Sequence, residues 1–341
     1  MYTDTVQEND KQIPVCKMLL HFETAKDEQV LAKFSISSVD AEGAYKNLQA
    51  EMPGWNFDGV RADAKKKWNE CLSKIAVKTN NEDQRAIFYT AMYHAFLSPN
   101  LFTDVDGRYL GMDLKVHTTD MKHPVYTIFS LWDTFRALHP LLTIVDPQLN
   151  TEFIRSLIKK HQEGGIFPKW DCVSNYTGTM VGYHAASLVA DSYVKGYRDF
   201  DVQEAYKACL RAAEYDTTGI VAPGWLIPYV MPKARYYKNT LGYIPCDREN
   251  ESVAKALEYA YDDWCIYQLA KELKRPKKEI ALFAKRAMNY KNLFDSESKL
   301  MRGKQKDGKF APKFSPLKWE VTLRKETAGT ILGLYSMIPK A

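Results

Sequence analysis

The stretch at residues 250–264, NESVAKALEYAYDDW, decides the fold, because it predicts a long helix with a carboxylate beside its apolar face. At about 100° per residue, four apolar side chains of this helix fall within about 80° of one another. They are Val253, Leu257, Tyr261 and Trp264. Glu258 lies on the adjoining strip, with Ala254 and Asp262. Partial burial there favours the protonated carboxyl that a catalytic acid needs, although an ordinary surface glutamate beside an aromatic ring is the alternative.

Size and charge exclude several classes of protein. The chain has 341 residues, enough for one large domain, and its net charge of +5 is spread over short basic runs. Such runs are typical of solvated helix faces, so no nucleic-acid partner is predicted. No apolar run reaches about 18 residues, so no membrane span is predicted. The aromatic content of 13%, with seven Trp and 21 Tyr, slightly favours a carbohydrate site.

The cysteines and the N-terminus bear on the compartment. The six cysteines contain no CxxC pair, which argues against a zinc site and a dense disulfide framework. They are predicted to be buried thiols, at Cys16, Cys71, Cys172, Cys209, Cys246 and Cys265. The polar residues 1–13 contain no signal peptide, so the signal of an exported protein would lie outside this chain.

The N-terminal part carries a different pattern from the rest. Loose alternation of apolar and polar positions predicts strands at 15–22 and 29–38. Two strands do not form a stable sheet alone, so residues 1–50 are predicted to be the remnant of an N-terminal β-sandwich domain. A linker helix is predicted within 51–80, and a helical domain within 81–319.

The helical part is predicted to contain eight helices joined by long loops. The helices are predicted at 58–78, 82–97, 128–144, 148–162, 180–196, 201–215, 250–273 and 277–293. The long connections, typical of functional loops, are 98–127, 163–179 and 217–249. A hairpin is predicted within 102–116, turning at Asp106-Gly107. Eight helices without a short repeat favour a closed barrel of helical hairpins, with an open helical scaffold as the alternative.

Three further segments combine carboxylates, aromatic rings and basic groups. In 130–136, SLWDTFR, Asp133 and Arg136 either pair with each other or leave Asp133 to accept hydrogen bonds from sugar hydroxyls while Trp132 stacks on the sugar. In 163–171, a Gly-Gly turn precedes Trp170, and the alternative to a sugar contact is a rigid loop. In 180–185, His184 begins an apolar helix, where a core histidine is the usual outcome.

Six motifs in this order resemble the catalytic domain of the bacterial family 92 glycoside hydrolases, which are calcium-dependent exo-acting α-mannosidases. They are SLWDTFR, EGGIFPKW, GTMVGYHA, ESVAKALEYAYDDW, LMRGK and FSPLKW, within a resemblance that covers about residues 29 to 319. The linker at 54–58, followed by 64–68, resembles the family's bridge between its β-sandwich and its helical domain. The resemblance implies an (α/α)6 barrel, incomplete in this chain, with a sugar pocket at one mouth.

By the same resemblance Glu258 matches the general acid of the family, and Trp132, Asp133, Arg136, Trp170 and His184 are candidate substrate-binding residues. An inverting glycosidase also needs a carboxylate base on the opposite face of the sugar. The resemblance implies a Ca2+ ion that holds the hydroxyls of mannose, with oxygen ligands. Neither the base nor the metal ligands match a motif in the first 319 residues. The implied partner is a mannose-containing glycan of the α-1,2 type, and the intact bacterial protein is expected to be secreted or periplasmic.

The tail departs from the family after Trp319. Read two nucleotides out of frame, permitted codons for 320–341 spell a segment with Glu-Gly-Asn and His-Asp that looks like the missing family segment, which would include the base. We therefore predict a frameshift near Glu320 and an out-of-frame, inactive fragment that lacks domain portions needed for a complete fold. The alternatives are another (α/α)6 inverting glycosidase, trehalase-like or glucoamylase-like, and a helical carbohydrate-binding protein without catalysis.

Overall fold

The computed structural model describes residues 2–8, 11–17, 19–312 and 314, and this part of the chain is mainly helical, as predicted. The helices are α1 (Ala41–Glu51), α2 (Phe57–Leu72), α3 (Glu82–Ala95), α4 (Leu131–Thr134), α5 (Leu138–Val145), α6 (Pro147–Gly164), α7 (Ala185–Val194), α8 (Val202–Ala213), α9 (Ile227–Val230), α10 (Ala234–Leu241), α11 (Ser252–Glu272) and α12 (Lys277–Ala287). A 3-10 helix follows at Asn289–Leu293. The predicted tail segment, 320–341, lies outside the described residues.

Antiparallel pairs of strands lie before, between and after these helices. The strands are β1 (Tyr2–Glu8), β2 (Lys11–Lys17), β3 (Asn100–Leu101), β4 (Arg108–Leu110), β5 (Val116–Thr118), β6 (Tyr126–Thr127), β7 (Asp171–Cys172), β8 (Asn175–Tyr176), β9 (Phe294–Asp295) and β10 (Leu300–Met301). In the described part of the chain β1 pairs with β2, β3 with β6, β4 with β5, β7 with β8 and β9 with β10. In β3–β6, Asn100 pairs with Thr127, so two ends of a long predicted loop meet.

The N-terminal prediction is partly wrong. Strand β2 ends at Lys17, and residues 29–38 form no strand. Their alternation finds no partner strand among the described residues, and Phe34 and Ile36 are 83% and 84% exposed. Sequence reasoning also missed α1, which begins at Asp40, whose side chain accepts a hydrogen bond from the Gly43 amide. The sandwich remnant and the domain boundaries stay predictions.

The predicted hairpin within 102–116 forms with a different closing turn. A turn does lie at Asp106-Gly107, where the Gly107 amide donates to the Asp104 carbonyl at 2.9 Å. Strands β4 and β5, however, are joined through the following turn, in which the Gly111 amide donates to the Lys115 carbonyl at 2.8 Å. The Asp-Gly signal therefore located a real turn but not the one between the strands.

The predicted helix at 128–144 is two helices, α4 and α5. Pro140 is the physical reason, because it has no N–H to donate to the Arg136 carbonyl and so cannot continue the helix from α4. Proline is tolerated in the first turn of a helix, which is where Pro140 lies in α5. The break lies at residues 135–137, between α4, which carries Trp132, and α5, and Arg136 lies within it.

The core lies around α11, which contacts α7, α8, α10 and α12. Apolar residues of α6, α7, α8 and α11 form most of the main buried cluster. Closure of an (α/α)6 barrel stays a prediction. No helix in the described part of the chain combines the length and apolar character that a membrane crossing requires.

The cysteine prediction holds for two thiols. Cys209 and Cys265 are buried, and burial raises the pKa of both thiols above the ordinary value. Cys71, Cys172 and Cys246 are only half-buried, because they lie at the end of α2, in the short strand β7 and in a turn rather than on core-facing helix positions. The side chain of Cys16 lies outside the described residues.

Candidate active site

Three residues predicted from separate motifs meet around one carboxyl group. Glu258 lies in the second turn of α11 and is only 8% exposed. The Nη2 atom of Arg136, which lies just after α4, donates to Glu258 Oε1 at 2.9 Å. The other oxygen, Oε2, lies 3.4 Å from Nε2 of His184, which precedes α7. The structure thus gathers Glu258, Arg136 and His184 although 122 residues separate the first two in sequence.

Arg136 packs against aromatic rings as well as against the carboxylate. Its guanidinium carbon lies 4.8 Å from the ring centroid of Trp132 and 4.8 Å from that of Phe135. Arg136 therefore pairs with Glu258, and the alternative in which Arg136 pairs with Asp133 does not form among the described residues. Asp133 is exposed and accepts a hydrogen bond from Ser130.

Asp262 fixes the position of His184. Asp262 is one helical turn after Glu258 and fully buried. Its Oδ1 lies 2.7 Å from His184 Nδ1, and its Oδ2 accepts from the Tyr183 amide at 2.7 Å. The imidazole, itself 1% exposed, stacks on Phe135 with ring centroids 4.1 Å apart. Because a carboxylate accepts at Nδ1, the ring carries a proton there and turns Nε2 toward Glu258.

Gly182 makes room for this ring. Its φ is +87°, a conformation that side chains of L residues rarely adopt. A Cβ on Gly182 would also lie 2.2 Å from His184 Nε2. Only glycine fits this position without displacing the imidazole, which gives a physical reason for the Gly-Tyr-His sequence.

Trp170 lies beside the start of α4. Its backbone forms an antiparallel bridge with Ser130. The next residue, Asp171, is fully buried and accepts from the Phe129 amide at 3.1 Å and from Lys160 Nζ, which lies 2.9 Å away. The ion pair fixes this loop to α6, and the hydrogen bond from the Phe129 amide fixes it to the residues just before α4. The loop is therefore rigid, and it also brings Trp170 next to the helix that carries Trp132.

Two polar atoms near this site lack partners. Trp132 Nε1 and His184 Nε2 are buried and make no hydrogen bond with any described residue. A buried polar atom without a hydrogen-bond partner destabilises the fold. A ligand hydroxyl could accept from Trp132 Nε1, and a proton could bind to His184 Nε2.

The charges around His184 decide its protonation. Burial lowers the pKa of His184, but the Asp262 carboxylate, helped by Glu258, outweighs burial. The pKa of His184 therefore lies above its ordinary value. Arg136 acts in the opposite direction and is the weaker influence. The predicted burial of Glu258 is confirmed, and Arg136 supplies a cation beside it that the sequence pattern did not indicate.

Sequence reasoning missed Asp262, Phe135 and Gly182 as parts of this site. The signal for Asp262 was available, because residues four apart on a helix share a face and Glu258 was already singled out. No sequence signal pairs Phe135 with His184, because their stacking depends on how α4 and α7 pack.

A calcium site does not fit the described residues by themselves. Within the part of the chain that the structure describes, no group of three or more His, Cys, Asp or Glu side chains could hold a metal ion. The oxygens of Asp262 are already used by Tyr183 and His184.

Comparison with known proteins identifies the family. Residues 43–336 match the profile of the glycosyl hydrolase family 92 catalytic domain. This range extends into the segment after residue 319 for which a shifted reading frame is predicted, and the frameshift itself stays a prediction. A relative from Arthroderma benhamiae, described as an uncharacterized secreted glycosidase, is 27% identical over 79% of this chain and 31% of its own length.

Two solved structures from Bacteroides thetaiotaomicron have the same fold. The family GH92 α-mannosidase BT3965 is 34% identical, with a TM-score of 0.75, over 86% of this chain and 37% of its own. The inverting mannosidase BT2199 is 28% identical, with a TM-score of 0.78, over 86% of this chain and 38% of its own. The chain thus spans little more than a third of the length of these solved relatives. Together with the family match, these likenesses mean that the chain belongs to glycosyl hydrolase family 92.

Proposed function

We propose that this chain carries the acid-bearing part of an inverting, calcium-dependent exo-α-mannosidase, with Glu258 as the general acid. The observation that carries the proposal is the buried Glu258 carboxyl between Arg136 and His184, at the position that matches the family's acid motif. The family match and the mannosidase names of its structural relatives support the substrate class. The relative described as secreted supports an exported intact protein.

In this proposal the residues around Glu258 have separate roles. The Glu258 carboxyl donates its proton to the glycosidic oxygen as the bond to the leaving group breaks. Trp132 and Trp170 stack on sugar rings, and the unpartnered Trp132 Nε1 donates to a hydroxyl. Asp133, which is exposed, accepts hydrogen bonds from mannose hydroxyls. The substrate is a mannose-containing glycan of the α-1,2 type.

The base and the calcium rest on the family resemblance alone. An inverting reaction needs a second carboxylate about 6.5–9.5 Å from the acid, and no family motif supplies it in residues 1–319. We therefore propose that the 341-residue chain binds α-mannosides without cleaving them. Calcium would supply electrostatic stabilisation of the sugar hydroxyls when bound.

The first experiment measures binding and cleavage by the same chain. Isothermal titration with mannoimidazole, the compound bound by BT3965 in a solved structure, is expected to give heat that Glu258→Gln reduces. Release of 4-nitrophenol from its α-mannoside is expected to be absent, with calcium or with a chelator. Mannose release that needs calcium would contradict the proposed inactivity but not the mannosidase assignment. Absence of mannoimidazole binding would contradict the binding proposal.

The second experiment tests Glu258 as an acid. A chain re-encoded from residue 320 in the alternative frame is assayed with a panel of aryl glycosides. The proposal expects calcium-dependent cleavage of α-mannosides, with a loss of orders of magnitude in Glu258→Gln while binding survives. Preference for another glycoside would favour a different inverting glycosidase. Binding without any cleavage in the re-encoded chain would favour a carbohydrate-binding protein.

A further inference from the structure

Three contacts fix the orientation of the His184 ring. Phe135 stacks on it, Gly182 packs against it, and Asp262 bonds Nδ1. The one ring nitrogen without a hydrogen bond to a described residue is Nε2, which lies 3.4 Å from Glu258 Oε2. The imidazole therefore cannot rotate to bond another group, and its Nε2 atom faces the Glu258 carboxyl group.

The charges of this cluster balance with one proton. The charged and titratable groups that act on the His184 ring are Asp262 and Glu258 from α11 and Arg136 just after α4. With Asp262 ionised and Arg136 cationic, the cluster is neutral in two arrangements. Either His184 is an imidazolium beside an ionised Glu258, or His184 is neutral beside a protonated Glu258. An uncompensated charge in so buried a place is costly, so the cluster keeps one mobile proton.

We propose that His184 and Glu258 share this proton, so that His184 is a positioning residue that keeps the candidate acid supplied with a proton. Its role as a direct sugar ligand is disfavoured by its burial, since only 1% of the residue is exposed. The proton moves from Nε2 to Oε2, which turns the imidazolium and carboxylate into a neutral imidazole and a carboxylic acid. No oxidant or co-reactant takes part. The proposal rests on the proposed function only where it names Glu258 as the acid.

The charges of Glu258 and Arg136 each act on the proton affinity of His184, in opposite directions. Removing the Glu258 charge should weaken proton binding by His184. Removing the Arg136 charge should strengthen it, because Arg136 lowers the pKa of His184. The two variants should therefore change the proton affinity of His184 in opposite directions. Loss of structure would instead change it in the same direction in both variants.

The test is a pH titration of the 341-residue chain labelled with 15N-histidine, followed in long-range 1H–15N spectra. The Glu258→Gln variant is expected to bind the His184 proton about tenfold more weakly, and Arg136→Met more tightly. His139 provides the control in every spectrum, since it is 1% exposed and its hydrogen-bond partners among the described residues, Asn150 and Thr134, are neutral. His184→Gln and His139→Gln assign the two signals.

An unchanged His184 titration in both variants, or shifts of the same sign, would overturn the proposal. So would a His184 ring that stays neutral across the whole titration. The outcome is separate from the proposed function, because mannoimidazole binding is measured independently. Coupling without mannoimidazole binding supports the shared proton and contradicts the binding proposal. Binding without coupling supports the binding proposal and overturns the shared proton.

Discussion

His139 and His184 are equally buried, and yet their surroundings shift their pKa values in opposite directions. His139 contacts Asn150 Oδ1 at 3.0 Å and Thr134 Oγ1 at 3.1 Å, and burial lowers its pKa to about 4. His184 contacts the carboxylate of Asp262, and its pKa lies above the ordinary value. Each residue is 1% exposed. The charge of the hydrogen-bond partner, more than burial, separates a histidine that packs from one that holds a proton.

The largest effect on this comparison is expected from Asp262→Asn. The variant leaves His184 without its charged partner and disturbs the hydrogen bond from the Tyr183 amide. Breaking a buried pair on one side should cost about 3–5 kcal/mol in the free energy of unfolding. Urea unfolding measures the loss, and His184 should then titrate in the manner of His139.

Asp133→Asn provides the matched control for that variant. Asp133 is exposed and is an aspartate just after the start of a helix, so its loss should change the free energy of unfolding by less than about 0.5 kcal/mol. Equal losses for the two aspartates would show that the Asp262 contacts do not hold the site together.

The pH dependence of stability should differ in sign between the two histidines. The folded pKa of His139, about 4, lies below the ordinary 6.5, so its protonation in the unfolded chain destabilises the fold as pH falls from 6.5 to 4, by about 3 kcal/mol. The folded pKa of His184 is raised, so its contribution is present below pH 6.5 and is lost as pH rises through the folded value. Urea unfolding at several pH values measures both slopes.

The matched variants for these slopes are His139→Gln and His184→Gln. His139→Gln should reduce the fall in the free energy of unfolding between pH 6.5 and pH 4. His184→Gln should remove the fall in the free energy of unfolding above pH 6.5. A slope in acid that is the same with and without His139 would mean that another group titrates there.

Asn150→Asp tests whether a carboxylate partner is enough to raise the proton affinity of His139, as Asp262 does for His184. It would place a carboxylate against His139 Nδ1, and the proton affinity of His139 should rise about tenfold or more. The titration of 15N-labelled His139 measures the change, with His184 as the internal reference. If His139 stays at its original midpoint, the local charge is not what distinguishes the two residues.

The smallest effect is expected from Trp132→Phe, which keeps a ring against Arg136 but removes the unpartnered N–H. Loss of one hydrogen bond to a sugar hydroxyl, about 1 kcal/mol, should weaken mannoimidazole binding about fivefold. Calorimetry measures the change, and Trp68→Phe, in α2, is the control that should leave binding unchanged.

The helices were largely predictable because their apolar periodicity is local. The stretch around Glu258 gave α11 and the burial of that carboxyl. The strand predicted at 29–38 failed because alternation cannot supply a partner strand, and the helix at 128–144 failed because the effect of Pro140 was overlooked. Contacts such as Arg136 with Glu258, or His184 with Phe135, depend on packing between distant helices, which no local pattern encodes.

The central claim is that Trp132, His184 and Glu258 form one mannoside site, and the most direct test follows the Trp132 indole and His184 ring signals during mannoimidazole addition. We expect both signals to shift together and to saturate, while the Trp68 indole stays in place, and we expect Glu258→Gln to weaken the response. Saturable binding that leaves Trp132 and His184 unmoved would contradict the account.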